Sequence, residues 1–240
     1  MEEVLSGIVL GGVNFSENDK ILSVLTLEQG VVSAKIKGVK KAGAKLKFAS
    51  EPFCFAQFVF AKTGKNRTVT GASLIDSFYP IRQDVYKYFA GGAVLEYTRK
   101  FLKEGIVSTE FFHQVSEALK LMAYSDQCPE SVLIDFLINA LSLSGYALNL
   151  EGCFTCGEGI KGRVFFDYLY GGFFCEQCIT ENCREISYQT MQALQQVKNG
   201  QTLSRENCLR PLRLLDFYLD HKAEVSVKSL KELIRMCGEE

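Results

Sequence analysis

The pattern of apolar and polar positions changes character near Pro80. Before it, five short runs rich in β-branched and aromatic residues are separated by turn-forming residues, which predicts five strands. The predicted strands are Leu5–Leu10, ending at Gly11-Gly12, then Ile21–Leu27, Val31–Ile36, Phe53–Ala61 and Thr68–Leu74, the last two joined by a turn at 63–66. Five strands in about 75 residues fit a small closed barrel such as an OB-fold, with another small barrel or a meander as the alternative.

After Pro80 the apolar residues recur at helical spacing, which predicts a helical region. Gly91-Gly92 in the first of these stretches would allow a close helix contact at some cost in helix propensity. The predicted helices lie around Val85–Leu102, through Phe112–Met122, from Leu133 to Ser144, from a cap at Ser187 to Asn199-Gly200, and near Arg210–His221. Between the third and fourth helices, Arg163–Tyr170 is aromatic and typical of a strand.

Two cysteine pairs interrupt the helical region. Cys153-x-x-Cys156 is followed after eighteen residues by Cys175-x-x-Cys178. Two thiolates from one tight turn suit a tetrahedral cation, so this spacing predicts one structural zinc ion with no open coordination position. A redox-active pair or an iron site is the alternative, and Cys183 is close enough to be a spare ligand. Disulfides are disfavoured because nine cysteines is an odd number and the first residues do not read as a secretory signal.

Composition and charge add a second expectation. No apolar run approaches the roughly 18 residues that span a bilayer, so we expect a soluble, cytoplasmic protein with no membrane contact.

Residues 1–80 carry a net charge of +3 and residues 81–240 a net charge of −4. Within the first part, residues 35–47 hold six lysines and no acid. Such asymmetry favours a polyanion contact on the predicted barrel.

The basic run predicts phosphate binding by a loop beside a barrel face, with a merely solvated loop as the alternative. Phe48, Phe53 and Phe55 are candidates for stacking on bases, although strand alternation requires some of them to be barrel core. The predicted DNA-binding residues are Lys35, Lys37, Lys40, Lys41, Lys45, Lys47 and Arg67.

Catalytic chemistry is not indicated. His113 and His221 lie in different helical stretches, and no phosphate-binding or nucleophile motif is present in the sequence. We therefore expect a protein that is not an enzyme. Two classes remain, a DNA-binding protein and a zinc-ribbon adaptor that acts through protein contacts in transcription or chaperoning.

An ordered set of motifs resembles the bacterial RecO family. Residues 7–41 (GIVLGGVNFSENDKILSVLTLEQGVVSAKIKGVKK) resemble the family's N-terminal signature, and 136–156 resemble its central helix, glycine and first cysteine pair. Gly171–Cys175 resembles the second pair, and 214–221 with 228–230 resemble its last helices. The resemblance covers nearly the whole chain in the same order.

The resemblance implies several domains containing α and β structure. These are an OB-fold barrel over residues 1–80 and an α-helical domain over 81–150 and 184–240, interrupted by a zinc module over 151–183. It implies a nucleoid-associated recombination mediator that binds single- and double-stranded DNA, anneals strands and acts with RecR to load RecA on strands covered by single-strand-binding protein (SSB). The acidic tail of SSB needs an apolar groove with nearby cations, for which we predict Arg205, Arg210, Arg213 and Lys222.

Overall fold

The computed structural model describes residues 2–64 and 66–238. Lys65, part of the predicted turn at 63–66, lies outside the described residues. The chain forms two compact units that divide between Tyr124 and Ser125. The first unit contains β1 (Glu2–Asn14), β2 (Lys20–Thr26), β3 (Gly30–Ile36), β4 (Phe55–Thr63), β5 (Asn66–Asp76), α1 (Val85–Phe101) and α2 (Thr109–Tyr124). The second contains α3 (Pro129–Leu143), β6 (Val164–Asp167), β7 (Gly172–Cys175), β8 (Cys183–Ile186), α4 (Tyr188–Lys198), α5 (Leu209–His221) and α6 (Lys228–Gly238).

The strands of the first unit close into a barrel in the order β1-β2-β3-β5-β4. β1 pairs antiparallel with both β2 and β4, and a short parallel pairing of 35–36 with 68–69 joins β3 to β5. The predicted OB-type barrel is confirmed, since a closed five-stranded barrel of this order has the OB-fold arrangement. Inward-facing side chains such as Val24, Phe58 and Phe60 fill its core.

Most boundaries of the predicted strands differ from the observed ones, and two of these differences have a clear structural cause. β1 does not end at Gly11-Gly12 but runs to Asn14. Its register with β2 shifts between Val9 and Gly11, which marks a bulge at Leu10, and the two glycines continue the pairing with β2. β4 begins at Phe55 and not at Phe53. Phe53 has a left-handed backbone, with φ of 69°, and its side chain is buried.

The two helices of the first unit lie against the barrel. Asp84 caps α1 by accepting a backbone N–H of the first turn at 2.9 Å. A side chain at Gly91 would place its Cβ 3.0 Å from the ring of Phe53, which is not in a helix, and 3.6 Å from the side chain of Leu119 in α2. In α2 the ring of Phe112 meets the ring of Phe55, with centroids 5.9 Å apart.

In the second unit the three helices predicted from periodicity are confirmed as α3, α4 and α5. The hydroxyl of Ser187 caps α4 by accepting the N–H of Thr190 at 3.2 Å. α6 has no counterpart in the predicted periodicity, and only the family resemblance implies it. It is 11 residues long, and Leu230 and Leu233 are its buried residues.

The predicted strand over Arg163–Tyr170 contains β6, which is the central strand of a small sheet in the order β7-β6-β8. Among the described residues, no helix combines the length and hydropathy needed to cross a membrane. The predicted domain boundaries at residues 80, 150 and 183 stay predictions.

Candidate nucleic-acid interface and metal site

The four paired cysteines converge in the second unit. Their sulfurs all lie within 4.8 Å of one another, and Sγ of Cys156 is 4.0 Å from Sγ of Cys175. Four sulfurs at about 2.3 Å from a tetrahedral zinc ion would be about 3.8 Å apart, so the cluster has the right size for a metal ion. Cys183 is not part of this cluster. Its sulfur accepts the N–H of Thr180 at 3.3 Å.

Backbone hydrogen bonds set the position of the first cysteine pair. Gly157, with a left-handed φ of 74°, donates its N–H to the carbonyl of Cys153 at 2.8 Å and closes the turn. The N–H of Phe154 donates to the carbonyl of Phe173 at 2.7 Å, which attaches this turn to β7. β7 ends at Cys175. The small sheet therefore holds the two cysteine pairs at a fixed separation.

A buried carboxylate supports the second pair. Asp167, at the end of β6, is fully buried and accepts the N–H of Leu169 at 2.8 Å through one oxygen. Its other oxygen accepts the hydroxyl of Thr180, two residues beyond Cys178. Sequence reasoning missed Asp167, although an aspartate that opens a turn with a following Gly-Gly was a usable signal.

The thiols of the cluster interact strongly. Burial raises the pKa of Cys153, but hydrogen bonds from the backbone N–H groups of Cys156 and Cys175 outweigh it and lower the pKa to about 6. The hydrogen bond with Cys175 raises the pKa of Cys178 to about 12. Ionisation of one thiol is therefore favoured, and ionisation of the neighbouring thiols is opposed unless a bound cation offsets their negative charge. The donor set fits a thiolate-bound metal ion.

A cleft of about 950 Å³ opens on the barrel beside β3 and β5. Its wall carries the cations Lys35, Lys62 and Arg67, the ring of Phe15 from the β1–β2 connection, and the carboxylate of Glu104. OB-folds bind oligonucleotides on this face, with the loops between strands 1 and 2 and strands 4 and 5 at its edges. Two of the predicted DNA-binding residues, Lys35 and Arg67, are thus brought together in one cleft.

Lys35 is held by an acid and an aromatic ring. Its ammonium lies 2.9 Å from a carboxylate oxygen of Asp19 and 4.3 Å from the centroid of the Phe15 ring. Asp19 also accepts the N–H of Gly38 at 2.8 Å. The hydrogen bond from Gly38 and then that from Lys35 lower the pKa of Asp19 to about 2. Asp19 therefore orients both Lys35 and the start of the basic loop.

Arg67 is held in a comparable way. Its Nε donates to Glu3 at 2.6 Å, and a terminal nitrogen donates to the side chain of Gln29 at 2.6 Å. Partial burial raises the pKa of Glu3, but the hydrogen bond from Arg67 and other contacts outweigh it and lower that pKa. Lys62 lies 3.8 Å from the same carboxylate. Sequence reasoning did not assign Lys62, because its place in the cleft depends on strand pairing.

The other five predicted lysines do not line the cleft. They are exposed on the connection that follows β3, and the N–H of Lys40 donates to the carbonyl of Asn18 at 3.1 Å, which attaches this connection to the β1–β2 loop. These lysines are Lys37, Lys40, Lys41, Lys45 and Lys47.

The aromatic candidates are placed differently from the expectation. Phe53 is buried against the ring of Tyr88, and the ring of Phe55 lies against α2. Phe48 is partly buried against the barrel core. These rings stabilise the barrel unit, and Phe15, which is 57% exposed, is the ring that lines the cleft. Sequence reasoning missed Phe15 because it lies in a connection and outside any strand pattern.

The second unit has an apolar groove of about 290 Å³ between β8 and α5. Its apolar wall includes Phe166, Tyr168 and Phe217, and Arg210 and Arg213 lie along it. Arg184, which sequence reasoning did not assign, also lines the groove, and its guanidinium lies 4.4 Å from the centroid of Phe217. The groove thus combines aromatic surface with three arginines.

The other two predicted partner residues lie elsewhere. Arg205 donates to the carboxylate of the fully buried Glu130 at 3.0 Å. Lys222 follows the last residue of α5. Neither residue lines the groove.

Comparison with known proteins agrees with this architecture of an OB-type barrel followed by a helical region with a four-cysteine cluster. The family model described as recombination protein O N terminal matches residues 1–78, and the model described as recombination protein O C terminal matches residues 82–231. The chain belongs to the recombination protein O (RecO) family.

Several relatives carry the name DNA repair protein RecO. The relative from Acetivibrio thermocellus is 26% identical over 229 residues, covering 95% of this chain and 90% of the relative. The relative from Caldicellulosiruptor bescii is 32% identical over 194 residues, covering 78% of this chain and 77% of the relative. The relative from Streptomyces griseus is 29% identical over 238 residues, covering 94% and 96%.

Proposed function

We propose that this protein is a DNA-binding mediator of recombinational repair that performs no catalytic step. It binds single- and double-stranded DNA, anneals complementary strands, and acts with RecR to load RecA on strands covered by SSB. Membership of the RecO family supports this role, as does the name DNA repair protein RecO given to its relatives. We further propose a cytoplasmic, nucleoid-associated location, with the barrel of residues 1–80 as the nucleic-acid-binding domain.

The observation that carries the proposal is the cleft on the barrel. Lys35, Lys62 and Arg67 supply cations along one wall, and Phe15 supplies an exposed ring. A cationic groove that follows the backbone, with an aromatic surface for the bases, is the arrangement that binds single strands without sequence preference. The exposed lysines of the 37–47 connection extend the positive surface along the phosphates.

Titration of fluorescent single-stranded DNA at several salt concentrations tests this proposal. We expect affinity to fall with salt, and the slope of log affinity to decrease by roughly 0.7 for each lysine–phosphate pair that a substitution removes. Lys35→Ala/Lys62→Ala should therefore reduce the slope by roughly 1.4 and weaken binding equally across sequences. Lys161→Ala/Lys228→Ala removes the same charge from exposed lysines of the second unit and should leave the slope unchanged.

Equal slopes for the two double variants would reject the cleft as the phosphate-binding surface. Absence of salt-dependent binding in the unmodified chain would reject the DNA-binding role itself. The adaptor function, which acts through protein contacts, would then be favoured.

We infer that the metal of the four-cysteine cluster is zinc. Cys153, Cys156, Cys175 and Cys178 would hold it, and four thiolates leave no coordination position for a substrate. Bound zinc would supply a structural cross-link between the first cysteine turn and β7. The support for this inference is the donor set and its spacing.

We propose that the groove between β8 and α5 receives the acidic tail of SSB. An acidic tail with apolar residues needs aromatic surface for its side chains and guanidinium groups for its carboxylates, and the groove offers both. Glu185 also lines the groove, but its carboxylate is paired with Arg163 at 2.6 Å. The cations facing a tail would be Arg184, Arg210 and Arg213.

A labelled tail peptide tests the groove. We expect Arg210→Ala/Arg213→Ala to weaken peptide binding strongly, and Lys222→Ala, outside the groove, to leave it unchanged. Binding that is unaffected by the double variant would reject this groove. Absence of binding to the unmodified chain would reject the partner.

A further inference from the structure

Three cysteines outside the metal cluster surround one buried carboxylate in the second unit. Cys128 immediately precedes α3 and Cys208 immediately precedes α5, and their sulfurs are 4.0 Å apart. Glu130 is fully buried, and one of its oxygens accepts the thiol of Cys128 at 2.8 Å. The sulfur of Cys237, on α6, lies 3.8 Å from the other oxygen.

Two observations distinguish Cys128 from Cys208. The contact between the two sulfurs lowers the pKa of Cys128 and outweighs burial and the carboxylate of Glu130, which both raise it, and the same contact raises the pKa of Cys208. Cys128 is partly exposed, whereas Cys208 is fully buried. Cys128 is therefore the thiol that ionises first and that a small oxidant reaches first.

A second metal site does not explain this group. Over residues 2–64 and 66–238, the four paired cysteines are the set of ligand atoms that converges closely enough for an ion, and the Cys128 group does not. The guanidinium of Arg205 also occupies one oxygen of Glu130, at 3.0 Å. The guanidinium there opposes a metal ion and offsets the negative charge of the Glu130 carboxylate beside Cys128.

We propose that Cys128 and Cys208 form a peroxide-responsive dithiol. The Cys128 thiol loses its proton, and the thiolate attacks the terminal oxygen of a hydroperoxide. The O–O bond breaks, the sulfur is oxidised to a sulfenic acid, and the departing hydroxide or alkoxide takes up the proton lost by Cys128 and leaves as water or an alcohol. The sulfur of Cys208 then attacks the sulfenic sulfur and displaces hydroxide, which takes up the proton lost by the Cys208 thiol and leaves as water. Two thiols are oxidised to one disulfide, and one peroxide is reduced.

The fold allows this bond to form. The two sulfurs must approach from 4.0 Å to about 2.05 Å. Both cysteines precede the first residue of their helices, so the bond requires rotation of the two side chains and movement of the two connections without breaking either helix. The bond would fasten the beginning of α3 to the beginning of α5.

Peptide mapping of the full-length, metal-loaded chain tests the proposal. The protein is treated with increasing hydrogen peroxide, alkylated, and digested after lysine, arginine and glutamate, which separates Cys128, Cys208 and Cys237 from the metal-binding cysteines. We expect a Cys128–Cys208 cross-linked peptide that dithiothreitol reverses. Cys237→Ser should retain the cross-link, and Cys128→Ser should abolish it and leave Cys208 fully alkylated.

An internal control is Cys54, whose pKa burial raises to about 11 and which should stay reduced. The proposal is overturned if Cys128 and Cys208 are both alkylated at peroxide doses that oxidise the metal-binding thiols. It is also overturned if Cys128 pairs with Cys237. The unmodified chain alone decides between these results, so no variant needs to fold for the test to count.

Discussion

The ammonium of Lys35 lies 4.3 Å from the centroid of the Phe15 ring, on the wall of the barrel cleft. Asp19 holds the same ammonium at 2.9 Å. A cation for a phosphate and a ring for a base are therefore presented side by side by β3 and the β1–β2 connection. This pairing places both components of single-strand recognition in one cleft.

Phe15→Ala should weaken single-stranded DNA binding by about 5- to 150-fold, because stacking of one base on an aromatic ring contributes about 1–3 kcal/mol. The salt slope should stay nearly constant, since no cation is removed. Phe15→Tyr should retain most of the affinity. Fluorescence anisotropy at fixed and varied salt measures both quantities. Unchanged affinity in Phe15→Ala would exclude stacking at this position.

Glu104→Gln should raise the affinity for single-stranded DNA. The carboxylate of Glu104 lies in the cleft and accepts the N–H of Ser33 at 3.2 Å, so it repels an incoming phosphate. A surface charge interaction contributes about 0.2–1 kcal/mol, which predicts an increase of about 1.5- to 5-fold at low salt. Glu117→Gln, an exposed change outside the cleft, is the matched control. Equal affinities for both variants would contradict the expected repulsion.

Cys175→Ser should release the metal ion and lower the unfolding midpoint of the second unit, because metal binding contributes to folding. Cys183→Ser is the control, since its sulfur lies outside the cluster. We expect about one zinc per chain in the control and in the unmodified protein, and less in Cys175→Ser. Metal analysis and thermal unfolding measure the two effects. A metal-free unmodified chain with four reduced thiols and cooperative unfolding would exclude the site.

Arg205→Ala should destabilise the second unit and leave binding of the SSB tail unchanged. Its guanidinium is bonded to the buried Glu130, and loss of a hydrogen bond to a buried charged group costs about 1–3 kcal/mol. Lys222→Ala should change stability by less than about 0.5 kcal/mol. Denaturant unfolding measures both variants. A stable Arg205→Ala protein with weakened tail binding would restore Arg205 as a partner residue.

The contacts of Asp19 with Lys35 and Gly38, which hold the start of the basic loop, should be lost at acid pH. The pKa of Asp19 is about 2 in the folded protein, against about 3.9 in an unfolded chain. The stabilisation of the folded state by the ionised Asp19 carboxylate is therefore fully present above about pH 4 and is lost as the pH falls towards 2. Nuclear magnetic resonance should show the Asp19 carboxyl and the Gly38 amide titrating together near pH 2. Titration of Asp19 near pH 4 would contradict its pairing with Lys35 and Gly38.

The sequence predicts what depends on local pattern. Alternation and turn residues indicate all five barrel strands, helical spacing indicates α1 to α5, and cysteine spacing indicates the metal cluster. The pattern does not predict α6, because only two of its residues, Leu230 and Leu233, are buried and its periodic signal is therefore weak.

The features that the sequence pattern does not predict depend on contacts between residues far apart in the chain. Lys62 enters the cleft because its strand pairs with β5, and Arg205 is occupied because it meets Glu130 from a distant part of the chain. The sequence next to Lys62 and Arg205 gives no information about β5 or Glu130, which lie elsewhere in the chain. The glycines at 11–12 resemble a strand end, yet both pair with β2, and the register shift lies just before them, between Val9 and Gly11.

The most direct test of the central claim, that the barrel cleft binds DNA, is photo-cross-linking with single-stranded DNA containing 5-iododeoxyuridine. Digestion and mass spectrometry then locate the cross-linked residues. The account predicts cross-links on Phe15 in the peptide that ends at Lys20, abolished by unlabelled competitor DNA and absent in Lys35→Ala/Lys62→Ala. Cross-links confined to residues 125–238, with none on Phe15, would contradict it.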